Sequence, residues 1–148
     1  MKKHKFRLEG YLRLKEFKEQ MAKIELGQIN AAIGEIDKKI AKLMDDIAIG
    51  YESQEHVAQS GADGKMLQFY PYYIEGIKSH IDALENQKYA FKKKYQVKLH
   101  ELNVARGEHK VAQKLKEKDY QQYKKKQQKK ENEKIEDLVQ NWSVNIKD

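Results

Sequence analysis

Apolar residues recur in the first third of the chain at alternating steps of four and three: Ala22, Leu26, Ile29, Ile33, Ile36, Ile40, Leu43 and Ile47. That is the a/d repeat of a left-handed coiled coil, whose spacing keeps one seam turned toward a partner helix. Leu8 and Leu12 extend the register backwards, but Lys15 and Glu19 interrupt it, and Leu14, Phe17 and Met21 form a neighbouring stripe. The pattern therefore predicts a first helix over about residues 7–49 whose seam shifts near its start.

From Gly50 to Gly64 the repeat stops, and Ser53, Ser60, Gly61, Asp63 and Gly64 supply turn chemistry, which predicts a bend over about residues 50–65. The same repeat resumes in Ile74, Ile77, Ile81, Leu84, Phe91 and Tyr95, with Lys88 filling the missing position by laying its methylenes along the seam. A second helix is expected over about residues 66–139, followed by a frayed tail over 140–148. Pro71 either sits in that helix's first turn, where a missing N–H costs nothing, or kinks a helix begun near Asp63; the first placement is preferred. The fold class is all-α, a single-domain, two-helix antiparallel coiled-coil hairpin. With the bend centred near residue 58, Leu8 should face Glu108, and helix 2 should overhang without a partner after about Lys110.

The chain has 148 residues, of which 36% are charged and 39% hydrophobic, with one proline and no cysteine. So high a charged fraction leaves too little apolar surface for a thick core, consistent with helices that bury only a narrow stripe. Without cysteine there are no disulfides, zinc thiolates or thiol nucleophiles. No apolar run approaches the length of a membrane span, and Met1-Lys2-Lys3-His4-Lys5-Phe6-Arg7 is not followed by a signal-peptide apolar region. The expectation is a cytoplasmic protein with no direct membrane insertion.

The net charge of +7 is unevenly spread. Residues 1–18 carry seven Lys/Arg against two Glu, and residues 110–134 carry ten Lys against four acids, while the rest is slightly acidic. In a hairpin both basic segments fall at the same end, and that pole would be steered toward an acidic partner. Lys124-Lys125-Lys126 and Lys129-Lys130 can equally be a solvated helix face. Tyr120 and Tyr123 among lysines could stack on bases, but no nucleic-acid-binding motif is present, so no specific nucleic acid is expected.

The pattern holds no catalytic constellation. Gly61-Ala62-Asp63-Gly64-Lys65-Met66 has a Gly-Lys step, yet Gln59 stands where a phosphate loop needs glycine and Met66 where it needs a hydroxyl. His4, His56, His80, His100 and His109 never recur at the i,i+4 spacing of a helical metal site. Asn141-Trp142-Ser143 is a glycosylation triplet without a secretion signal. No enzyme activity, cofactor or metal is expected.

Two stretches resemble a known family. The first is Phe6-Arg7-Leu8-Glu9-Gly10-Tyr11-Leu12-Arg13-Leu14-Lys15-Glu16-Phe17-Lys18-Glu19, followed by Ala22-Lys23-Ile24-Glu25-Leu26. It is similar to the start of the FliJ family of flagellar type III export. The second, Ala105-Arg106, Lys110, Lys114-Leu115-Lys116-Glu117-Lys118, Tyr123, Glu131 and Lys134-Ile135-Glu136-Asp137-Leu138, is similar to that family's distal helix. The glycines at 10, 27 and 34 and the order Glu136-Asp137 depart from the family pattern.

The resemblance implies an export component shaped like the central stalk of rotary ATPases. Its partners would be the flagellar export ATPase hexamer, the cytoplasmic domain of the membrane export gate, and export chaperones. On that reading, ATPase binding is expected at the terminal pole: Lys5, Arg7, Leu8, Leu12 and Arg13 with Leu115, Tyr123, Lys124, Lys125, Lys126 and Leu138. Gate binding is expected around Tyr73, Ile77 and His80. The alternatives are a nucleic-acid-binding hairpin and a homo-oligomeric structural coiled coil, because the same heptads can pair between chains.

Overall fold

The computed structural model describes residues 4–61 and 63–147. Two helices, α1 (Glu9–Gln59) and α2 (Gly64–Lys147), pack against each other as an all-α helical hairpin. They contribute to two compact units. A central unit spans Ala22–Leu102, and a terminal unit joins Met1–Met21 with Asn103–Asp148.

In the central unit the heptad positions do what their spacing demands. Ala22, Ile36, Ile40, Ile74, Ile77, Leu84 and Leu102 are buried, and Leu26, Ile29, Ile33, Leu43, Ile47, Ile81, Phe91 and Tyr95 are partly buried. Ile36, Ile40 and Leu84 form the tightest cluster, with Leu43, Ile81 and Phe91 packed around it. Lys88 occupies its seam position as expected and meets Asp37 at 2.5 Å. Lys98 meets Glu25 at 2.9 Å. These partners fix the antiparallel register with its midpoint near residue 62, four residues beyond the expected centre.

The shift arises because Gly50 does not start a bend. It lies inside α1 and is buried, and a Cβ there would come within 3.3 Å of Ile74 Cγ1, so glycine permits a close approach of the two helices. The chain turns only after Gln59. Ser60 N donates to His56 O at 3.1 Å, and Gly61, at φ +73°, takes the left-handed conformation that ends many helices. Asp63 then precedes α2, its carbonyl accepting from Met66 N at 3.0 Å and Leu67 N at 3.3 Å.

Pro71 lies inside α2 rather than in its first turn, so the helix runs through it without the amide hydrogen bond that residue 71 would otherwise donate to Leu67. The tail expected to fray over 140–148 is helical through Lys147.

In the terminal unit the seam keeps its register instead of shifting. Leu12 and Ala112 are buried, Ala105 is partly buried, and Leu14, Phe17 and Met21 stand exposed. The positions between are filled by charge: the Lys15 and Glu19 side chains are only 12% exposed. Lys15 Nζ donates to Glu108 at 2.7 Å, and Glu19 meets both His109 and Arg106. Glu108 therefore faces Lys15, not Leu8.

Candidate functional site: the basic terminal unit

Both basic segments belong to the terminal unit. Around the buried Leu12 and Ala112 runs a ladder of polar contacts between them. Lys116 bridges to Glu9 at 3.0 Å, and His4 Nε2 meets Asp119 at 2.6 Å. The His4 ring stacks on Tyr123 with centroids 4.3 Å apart. Tyr123 is thus partly buried by the chain's own N-terminal segment, and α2 is covered thirteen residues further than the expected limit at Lys110.

Lys15 and Glu108 hold each other charged. The hydrogen bond to Glu108 raises the Lys15 pKa above the usual lysine range despite partial desolvation, and the same bond holds Glu108 below the usual carboxylate range. In the central unit Lys88 is raised by its bond to Asp37, and Lys98 by its bonds to Glu25 and Glu101.

The expected docking residues divide by exposure. Lys5, Arg7, Arg13, Lys124, Lys125 and Lys126 are exposed, with Arg13 3.9 Å from Glu9 and Lys124 over the Tyr120 ring at 4.8 Å from its centroid. Leu8 and Leu115 are each 43% exposed and Leu138 is 68% exposed, so all three can be touched from outside. Leu12 is core and acts from inside the unit.

The expected gate residues lie in the central unit. Tyr73 and His80 are exposed there, but Ile77 is buried in the seam. Phe69, absent from the expected set, stacks on Tyr73 at 5.7 Å and contacts Tyr70 edge-on, forming an exposed aromatic group beside Pro71 with Tyr72. Its clue is present in the sequence as four aromatics around one proline, Phe69-Tyr70-Pro71-Tyr72-Tyr73, at the start of the expected second helix.

Among the described residues no group of three His, Asp or Glu side chains is placed to hold a metal ion. No helix among them is long and apolar enough to cross a membrane.

No curated protein and no solved structure gives a match to the chain. The model of the flagellar FliJ protein family, however, matches residues 4–143, covering α1, the turn, α2 as far as Ser143 and the polar ladder of the terminal unit. With that extent of match on a two-helix hairpin of the expected kind, the chain belongs to the FliJ family.

Proposed function

We propose that this flagellar export component works without catalysing a reaction, as a stalk-like adaptor that docks on the ring of the export ATPase through its basic terminal unit. The observation that supports this reading is the joining of both basic segments, residues 1–18 and 110–134, in one unit of a family member. Lys5, Arg7, Arg13 and Lys124–Lys126 would accelerate encounter with an acidic ring lining. Leu8, Leu115 and Leu138 would then hold the complex by burying exposed apolar surface.

Contact with the cytoplasmic domain of the export gate is assigned to the exposed aromatics of the central unit, Tyr73 with Phe69, and to His80. Ile77 contributes by fixing the seam beneath them. Export chaperones complete the proposed partner set, with the protein working peripherally at the membrane apparatus in the cytoplasm.

Charge reversal at Lys124, Lys125 and Lys126 tests the docking surface. These side chains are exposed, so far-ultraviolet circular dichroism should remain that of the parent. The association rate with purified export ATPase should fall by about tenfold or more at low salt. Unchanged binding by a correctly folded variant removes the proposed surface.

A further inference from the structure

In the central unit a groove of about 460 Å³ runs along one side of the seam between α1 and α2. Its floor is apolar, built from the partly buried Ile33 and Tyr95. Its α2 wall is Tyr89, 61% exposed, with Lys92 and Lys93, and its α1 wall begins at Asn30. The lysines stand at the apolar surface itself. At about 100° per residue, Lys92 lies about 60° around α2 from Tyr95 on one side and about 60° from Tyr89 on the other.

Neither lysine meets a carboxylate. Among the described residues Lys93 Nζ sits 4.7 Å from the Tyr89 ring centroid, and Lys92 has no hydrogen-bond or ion-pair partner. Asp37 and Glu85, each one turn from a lining residue, both act on Lys88, which meets Asp37 at 2.5 Å. The groove therefore presents uncompensated positive charge beside an apolar floor. A ligand that complements it carries carboxylates next to apolar side chains.

The α1 side shows the shape of that ligand. Ile33 lies about 60° from Asn30 toward the seam, while Gly34 and Gly27 lie about 40° and 60° from it the other way, so two glycines form the outer lip. A Cβ on either would meet nothing within 4 Å, unlike one at Gly50. The hairpin itself has no use for glycine at these two positions, where each costs about 1 kcal/mol of helix propensity relative to alanine. A lip without side chains lets a third backbone approach α1 closely, as Gly50 lets α2 do further along. The lining runs for about two turns of α2, from Tyr89 to Gln96, so the groove receives a rod laid lengthwise.

We infer that this groove is a docking site for an acidic amphipathic helix of another protein, which lies over Gly27 and Gly34 with its apolar face on Ile33 and Tyr95 and its carboxylates on Lys92 and Lys93. The site uses none of the residues proposed for the ATPase or the gate.

The probe is a synthetic helix of about 18 residues, with leucines on one face and glutamates on the other, titrated into the full chain while its isoleucine methyl groups are followed by NMR. The Ile33 methyl should shift with a Kd of about 10–100 μM, as suits a contact two turns long. The same peptide with lysine for glutamate should bind at least about tenfold more weakly. Lys92→Glu with Lys93→Glu should weaken binding of the acidic peptide by about 10- to 100-fold. Gly27→Gln with Gly34→Gln, which leaves the charge unchanged, should weaken it by about tenfold by filling the lip. All four positions are exposed, so circular dichroism of both variants should show at least the parental helix content. Charge reversal at Lys124, Lys125 and Lys126, in the terminal unit, should leave the Ile33 response intact.

No shift at Ile33, equal affinity for the lysine peptide, or parental binding by either folded groove variant overturns the proposal. A response confined to Ile135 and Ile146 would place the peptide on the C-terminal part of α2, with the same result. Displacement of the peptide from Ile33 by a lower concentration of single-stranded oligonucleotide or of phosphatidylserine vesicles would assign Lys92 and Lys93 to phosphate, and likewise overturn it.

Discussion

Replacing Ile36 by alanine offers a sharp test of the seam, because Ile36 is 5% exposed and sits in the cluster with Ile40 and Leu84. Truncation removes three buried carbons at about 0.8 kcal/mol each, or about 2.4 kcal/mol, and the cavity left among Leu43, Ile81 and Phe91 raises the loss to about 3–4 kcal/mol. Alanine's better helix propensity returns about 0.4 kcal/mol. Ile24 is the control. It has the same chemistry in the same helix and compact unit but is 53% exposed, so the transfer loss is about half as large, little cavity forms, and the net cost is about 0.5–1 kcal/mol. Thermal unfolding followed by circular dichroism should lower the midpoint by about 6–12 °C for Ile36→Ala and by about 3 °C or less for Ile24→Ala. Equal losses at the two sites, or a greater loss at Ile24, would refute the assignment of the a/d stripe to the helix–helix seam.

Other expectations follow from the polar contacts and the turn. The Glu108 pKa is depressed in the fold, so its contribution is present above the ordinary carboxylate range and lost as pH falls through its lowered value; the Lys15 pKa is raised, so its contribution is present below the ordinary lysine range and lost as pH rises through its elevated value. Stability should therefore fall faster in acid for the parent than for Glu108→Gln, measured by urea unfolding across a pH series, and parallel curves would count against the pair. Glu19→Leu combined with His109→Leu replaces a nearly buried polar contact by an apolar one and should stabilise the chain by about 1 kcal/mol or more in the same assay; destabilisation would mean the polar contact contributes more than its desolvation costs. Gly61→Ala, at φ +73°, should cost about 1–2 kcal/mol, whereas Gly27→Ala, with nothing within 4 Å of the new Cβ and an ordinary helical backbone, should stabilise by up to about 1 kcal/mol.

The isoleucine repeats made the hairpin legible because a seam needs only periodic apolar contact, and periodicity survives in sequence. The start of the seam was illegible for the same reason. Lys15 and Glu19 looked like interruptions, since their side chains count as polar although their methylenes pack and their charges find Glu108, His109 and Arg106 across the interface. Gly50 misplaced the turn because a glycine needed for close helix approach carries the same letter as one that ends a helix. Pro71 likewise marked a boundary that the fold overrides. At the candidate site, charge density was readable from composition. The contact of His4 with Tyr123 was not, because it joins residues far apart in sequence through a register that the turn had yet to define.

A purely aliphatic coiled coil can slide by seven residues and find equivalent neighbours. Lys15 and Glu19 deny this chain that freedom. A slip of one heptad in one direction would deliver the Glu19 carboxylate to Leu99 and Leu102; in the other direction it would leave the Lys15 ammonium against Leu115. Either misalignment strands an ion on hydrocarbon, so two residues that weaken the zipper also give it a single closed position.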